Sequence, residues 1–183
     1  MIFVANGRDY FYERFALGVI PFFILWLASS RDWSAIGFSK PLQSFRYWLK
    51  ITAILAIFGA LAGAIGYIFR DHLAQRNMTW KFENWADAGS WFLMAGIRYP
   101  AVEELLYRGL FCTIVFPRIG FWPTVLLNGV VFAFLHYLYG AAEPVNMVGG
   151  FLLSFAFLKS ESIWVPLILH SLGNVAAGLT HLP

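Results

Sequence analysis

The chain has 183 residues, of which 60% are hydrophobic, 19% aromatic and only 13% charged. A soluble domain carries about 25% charged residues, so this composition, with a mean hydropathy of +0.65, indicates an integral membrane protein. The single cysteine, Cys112, excludes an internal disulfide framework and a zinc site built on paired cysteines. The net charge of +3 is modest, and no basic run is dense enough to indicate nucleic-acid binding.

Two apolar runs in the first half predict membrane helices. The run 15–28 follows charges of both signs, whereas a signal peptide begins with a basic segment, so we expect a first transmembrane helix here. The run 51–69 is long enough to cross a hydrocarbon core that takes roughly 20 helical residues. Two polar segments, 31–50 and 70–90, accompany these runs, and the tryptophans of 70–90 suit the lipid headgroup level.

The second half predicts four further helices joined by very short loops. Their expected ranges are about 91–116, 121–139, 145–158 and 162–180. We therefore expect an all-α, polytopic membrane protein with about six transmembrane helices, the last four packed as a compact bundle. Residues 1–90 would supply N-terminal helices and interfacial segments, and residues 91–183 the core of a single integrated domain. No internal repeat and no linker indicates a second domain.

The stretch "AVEELLYRGL" places three charges, Glu103, Glu104 and Arg108, inside the 91–116 helix. Each charge at the centre of a membrane helix costs about 2.5–3.5 kcal/mol, so these side chains must face the bundle interior or a water-filled cavity. Glu104 and Arg108 are four residues apart and are predicted to form an ion pair on one face. Glu103 points about 100° away around the helix. It is therefore the better candidate for a general base.

Two later helices carry further polar residues at the same spacing. Phe132 and His136 share one face of the 121–139 helix, and His170 and Asn174 share one face of the last helix. A lone buried histidine is usually structural, and a buried ion-pair network can simply order a bundle. Polar groups in three apolar helices instead favour a hydrolase, in which Glu and His activate a water and His and Asn bind an oxyanion. The same Glu and His residues could also hold a catalytic zinc ion.

These motifs resemble those of the CPBP family, the CAAX prenyl endopeptidase and bacteriocin-processing intramembrane proteases. The family patterns E-E-x-x-x-R, F-x-x-x-H and H-x-x-x-N are matched, in order, by Glu103, Glu104 and Arg108, by Phe132 and His136, and by His170 and Asn174. The resemblance covers about residues 91–178, while the first 90 residues are only loosely similar. It implies a glutamate-type intramembrane endopeptidase with a four-helix catalytic core.

The resemblance also implies a role for each matched residue. Glu103 and His136 would activate the water that attacks the scissile carbonyl, and His170 and Asn174 would form the oxyanion hole. The supporting residues would be Glu104 and Arg108, which brace the site, and Phe132, which packs against His136. No metal is expected, because an asparagine suits an oxyanion hole better than a zinc shell. In a zinc-dependent version the ligands would be Glu103, His136 and His170.

The expected partners are the lipid bilayer and a peptide or protein substrate that is lipidated, apolar or membrane-anchored, with no nucleic acid. A multi-pass position in a bacterial cytoplasmic membrane is expected. The alternative is a non-enzymatic membrane protein, such as a bacteriocin immunity factor or a small transporter, that uses the buried charges as an ion relay. The dissimilar halves of the chain argue against a transporter. The H-E-x-x-H and G-x-S-x-G motifs of other proteases do not occur.

Overall fold

The computed structural model of the protein describes residues 4–5, 8–9, 11–68, 82–138, 144–179 and 182. Within these ranges, α- and π-helices form six continuous stretches, and one 3₁₀ turn, Ser34–Ile36, lies between the first two, which confirms the predicted all-α class. An antiparallel pair of two-residue strands, Val4–Ala5 and Arg8–Asp9, precedes the first helix.

The third of the six stretches, residues 85–119, is called the motif helix because it carries the two glutamates and the arginine. Two helices precede it, α1 (Phe11–Ala28) and α2 (Phe45–Ile68). It consists of α3 (Trp85–Leu93), π-helical segment π1 (Met94–Arg98), α4 (Tyr99–Glu104), π-helical segment π2 (Leu105–Cys112) and α5 (Thr113–Ile119). Three helices follow it, α6 (Phe121–Leu138), α7 (Pro144–Ser160) and α8 (Trp164–Leu179).

The main difference from the sequence-based prediction is where the motif helix begins. The polar segment 70–90 was expected to be interfacial, but its last six residues, 85–90, are already helical. The cause is Asn84, whose side-chain oxygen accepts hydrogen bonds from two backbone N–H groups of the first turn, at 2.9 and 3.0 Å. This is an ordinary N-cap. Most of the remaining segment, including Trp80, lies outside the described residues.

The structure supports the predicted number of helices more fully than the predicted number of membrane-crossing helices. Among the described residues, α6 is the one helix that is both long and apolar enough to cross a membrane. Shorter apolar helices cover Gly18–Ala28, Met147–Ser160 and Trp164–Leu179. Length and composition therefore support one crossing helix and leave the expected number of six as a prediction.

The distribution of polarity is the reverse of that in a soluble protein. Four ionisable side chains lie in the interior with at most 2% of their surface exposed: Glu103, Glu104, Arg108 and His136. Many large apolar side chains face outward instead, among them Phe45 at 80%, Trp122 at 63% and Ile24 at 62% exposure. An outer surface this apolar is suited to lipid rather than to water.

The first π-helical segment has a local cause in the sequence. Pro100 has no backbone N–H, and in a regular α-helix its ring would clash with the carbonyl four residues earlier. Here the N–H of Tyr99 donates to the carbonyl of Met94, five residues back. The wider turn accommodates the proline. The helix can therefore continue without a break into Glu103 and Glu104.

The loop between α1 and α2 is attached to the turn between α7 and α8. The N–H of Ile163 donates to the carbonyl of Gly37 at 2.8 Å. Gly37 has a φ of 92°, and a Cβ there would lie 2.6 Å from the Phe157 ring, so both backbone conformation and space require glycine. This contact fixes the N-terminal half of the chain against the helices that carry the site.

A matched pair of variants tests the close packing of α6 against α7. A Cβ on Gly150 would lie 2.6 Å from the Cβ of Phe132, whereas one on Gly149 would meet no atom within 4 Å. We expect Gly150→Ala to lower the free energy of unfolding by about 1–3 kcal/mol, because the added methyl overpacks the interface. Gly149→Ala should not lower it, since alanine favours a helix. Thermal unfolding in detergent, followed by circular dichroism, measures both, and equal unfolding temperatures would contradict the packing.

Candidate active site

The predicted ion pair between Glu104 and Arg108 is present and fully buried. Nη1 of Arg108 donates to Oε1 of Glu104 at 3.0 Å. Nη2 of the same guanidinium donates to the carbonyl of Gly150 on α7, also at 3.0 Å. The guanidinium carbon lies 5.2 Å from the ring centre of Phe132 and 5.7 Å from that of Tyr107, within the range of cation–π attraction. Arg108 therefore joins the motif helix to both α6 and α7.

His170 on α8 lies between the two glutamates. Its Nδ1 is 2.8 Å from Oε1 of Glu104, and its Nε2 is 3.7 Å from Oε2 of Glu103. A carboxylate already paired with Arg108 can only accept, so the Nδ1–H of His170 is the donor. Glu104 Oε1 thus receives two hydrogen bonds, while Glu103 faces the other ring nitrogen. The two adjacent carboxylates have different surroundings, as their spacing on the helix predicted.

His136 lies near the end of α6 and is oriented by Phe132, one turn earlier. Its Nδ1 is 2.9 Å from the Phe132 carbonyl, which can only accept, so Nδ1 carries the hydrogen. The two rings stack, with centres 4.0 Å apart and planes 24° apart. The Phe132 ring also contacts the His170 ring edge-on at 6.3 Å. In the neutral imidazole of His136, Nε2 is therefore the basic nitrogen.

Asn174 follows His170 by one turn of α8 and contacts the backbone of the motif helix. Its Nδ2 donates to the carbonyl of Ala95, in π1, at 2.7 Å. An asparagine amide carries two hydrogens, and this bond uses one of them. Any hydrogen bond to an oxyanion must therefore come from the second. The contact with Ala95 joins α8 to the motif helix on the N-terminal side of the glutamates.

Two buried polar residues near the site, Asn128 and Ser154, are absent from the sequence-based prediction. Nδ2 of Asn128, on α6, donates to the carbonyl of Tyr107 at 2.9 Å. Oγ of Ser154, on α7, lies 2.6 Å from Oδ1 of Asn128 and 2.7 Å from the Gly150 carbonyl. That same carbonyl accepts from Arg108. The available signal was a polar residue inside an apolar helix, the criterion that had singled out the glutamates.

Among the described residues, no group of three or more histidine, cysteine, aspartate or glutamate side chains is arranged to hold a metal ion. The zinc set considered from the sequence consists of Glu103, His136 and His170. In the structure one ring nitrogen of His170 is already used by Glu104. The independence of the reaction from metal stays a prediction.

One of the comparisons with known proteins gave a match, and it covers the site. A family model described as Rce1-like, type II CAAX prenyl endopeptidase Rce1-like, matches residues 85–176. The match begins at the first residue of α3 and ends two residues after Asn174, so it contains every predicted site residue. No curated protein and no solved structure matches the chain.

Breaking the buried pair tests the energetic role of Arg108. Arg108→Met leaves the Glu104 carboxylate buried without its arginine, and we expect a loss of about 3–5 kcal/mol in the free energy of unfolding. The double variant Glu104→Gln, Arg108→Met removes both charges and should recover much of this loss. Unfolding in detergent compares the two proteins with the wild type. A double variant less stable than Arg108→Met would contradict this explanation, because the unpaired Glu104 carboxylate would then not be what destabilises the single variant.

Proposed function

Because the chain belongs to the Rce1-like family of type II CAAX prenyl endopeptidases, matched over residues 85–176, we propose that it is a multi-pass intramembrane endopeptidase of the glutamate type. Membership places it within the CPBP group that the motifs had suggested, and makes it a membrane peptidase at the coarse level. The observation that carries the finer proposal is the buried pair of glutamates. One is neutralised by Arg108, while its neighbour faces a histidine nitrogen.

Glu103 is the proposed general base, with His136 as its partner in holding the water. Glu104 is unsuited to this task because its Oε1 already accepts from Arg108 and His170. In the proposed step Glu103 takes a proton from the water, and the water oxygen bonds to the scissile carbonyl carbon. The tetrahedral intermediate then breaks its C–N bond, and the proton passes from Glu103 to the leaving amine. The basic Nε2 of His136 supports this role.

His170 and Asn174 are the proposed donors to the oxyanion of the tetrahedral intermediate. They lie one turn apart on the same face of α8. As an imidazolium, His170 carries a hydrogen on Nε2 as well as on Nδ1. In this form its Nε2–H and the second amide hydrogen of Asn174 can point to one oxygen. The bond from His170 Nδ1 to Glu104 fixes the ring, and the bond from Asn174 to Ala95 fixes the amide. Donors held before reaction lose little free energy to reorganisation.

The proposed substrate is a lipidated, apolar or membrane-anchored peptide or protein, and the proposed location is a bacterial cytoplasmic membrane. The family is described as type II CAAX prenyl endopeptidase, which makes a farnesylated CAAX peptide the first probe. The apolar outer surface also supports the approach of substrate from the lipid phase. A site enclosed by helices excludes bulk water, which strengthens each of the polar contacts described above.

The direct test is cleavage of a fluorescence-quenched, farnesylated CAAX peptide by the purified protein in detergent. We expect Glu103→Gln and His136→Ala to lower the rate by about 100-fold or more, because each removes a group that activates the water. Glu161→Gln, in an exposed turn, is the matched control and should cleave like the wild type. All variants should give the wild-type circular dichroism spectrum.

Three outcomes would count against parts of this proposal. Wild-type rates in Glu103→Gln would contradict its role as base. No cleavage of any prenylated or apolar peptide by the wild type would favour the non-enzymatic alternative. Loss of activity with 1,10-phenanthroline, restored by added zinc, would favour the zinc-dependent version, whereas we expect the chelator to have no effect.

A further inference from the structure

A chain of hydrogen bonds between buried residues connects α6 and α7 to the motif helix beside Arg108. The side-chain amide of Asn128 uses both ends: Nδ2 donates to the Tyr107 carbonyl at 2.9 Å, and Oδ1 lies 2.6 Å from Oγ of Ser154. Asn128 and Ser154 are both 0% exposed. Polar groups in apolar helices are costly to bury, and hydrogen bonds between membrane helices return little stability. An explanation other than bundle stability is therefore needed.

The bond to Tyr107 acts on the backbone of the motif helix at its π-helical segment. In π2, hydrogen bonds run from residue i to residue i+5, and such segments are frequent at functional sites. Two consecutive backbone carbonyls here accept hydrogen bonds from side chains. The Tyr107 carbonyl accepts from Nδ2 of Asn128, and the Arg108 carbonyl accepts from Oγ1 of Thr113 at 3.4 Å. Asn128 therefore fixes the backbone at the position from which the arginine projects.

The bond from Ser154 acts on the other end of the arginine. The Gly150 carbonyl lies 2.7 Å from Ser154 Oγ and 3.0 Å from Nη2 of Arg108. Gly150 itself is packed so closely against Phe132 that no side chain fits there. The single hydroxyl hydrogen of Ser154 is shared between this carbonyl and Oδ1 of Asn128. The serine and this packing together set the position of the carbonyl that receives the guanidinium.

We propose that Asn128 and Ser154 are positioning residues of the hydrolytic site, a proposal that rests on the function proposed above. Asn128 fixes the backbone of Arg108, and Ser154 fixes the carbonyl that its guanidinium meets. Arg108 holds Glu104, and Glu104 orients His170 through the 2.8 Å bond to Nδ1. A shift of the guanidinium therefore moves the imidazole. Both residues act through Arg108, and neither is assigned a contact with the substrate.

Two matched pairs of variants test the proposal on the purified full chain with the farnesylated CAAX peptide. Ser154→Ala is compared with Ser160→Ala, which removes another buried hydroxyl of α7. The hydroxyl of Ser160 lies within hydrogen-bond distance of the Phe157 and Ser162 carbonyls. Asn128→Leu is compared with Thr124→Val, which removes a buried α6 hydroxyl that donates to the carbonyl of Gly120, the residue before α6. We expect kcat to fall about tenfold in Ser154→Ala and Asn128→Leu with KM little changed. The two controls should retain the wild-type kcat per folded molecule.

A second measurement does not depend on cleavage. The chain has four histidines, so ¹⁵N-histidine labelling gives a simple NMR spectrum in which His170→Gln identifies the His170 ring nitrogens. At one fixed pH, Ser154→Ala should shift these signals, because the guanidinium and Glu104 move. Ser160→Ala should leave them in place. A role confined to stability would lower the unfolding temperature without moving either signal.

The outcomes separate this proposal from the function on which it rests. Equal kcat values and equal His170 signals in Ser154→Ala and Ser160→Ala would overturn the positioning role, even if Glu103→Gln were inactive. Wild-type cleavage by Glu103→Gln would overturn the proposed function instead. In that case the NMR comparison would still decide whether Ser154 positions His170.

Discussion

Burial of two adjacent carboxylates inside an apolar helical bundle is the constraint on which the rest of the structure depends. Glu103 and Glu104 have 2% and 1% of their surface exposed, in a place where an uncompensated charge would cost several kcal/mol. One arginine and one histidine donate to the same oxygen of Glu104, and the guanidinium extends to a backbone carbonyl of α7. On α7, Gly150 supplies that carbonyl and Ser154 lies against it, and Asn128 of α6 bonds to Ser154 and to the Tyr107 carbonyl. The polar interior of the bundle thus follows from the need to bury this pair.

The same constraint makes the two carboxylates unequal. Glu104 has its charge balanced by Arg108 and its Oε1 occupied by two donors, which suits a structural role. Glu103 lies next to it in the sequence but projects from another side of the helix, toward Nε2 of His170. This inequality is the physical basis for proposing one glutamate as a brace and the other as a base.

The helices and the Glu104–Arg108 pair could be predicted from the sequence because both follow from local spacing along the chain. The bond from His170 to Glu104 could not, since it joins residues 66 positions apart and depends on how α8 packs against the motif helix. His170 was expected to be an oxyanion donor with Asn174, and its contact with Glu104 was not predicted. The π-helical turns also escaped prediction, although Pro100 offered a signal for the first of them. Asn128 could have been noticed as a polar residue in an apolar helix, but its hydrogen-bond partners follow only from the packed structure.

The most direct test of the division between the glutamates compares the unfolding temperature and the peptide-cleavage rate of Glu103→Gln with those of Glu104→Gln. We expect Glu103→Gln to lose cleavage while its unfolding temperature stays close to that of the wild type. Glu104→Gln should unfold at a markedly lower temperature, because Arg108 would be left buried without its counter-charge. Equal unfolding temperatures in the two variants, or an active Glu103→Gln, would contradict it.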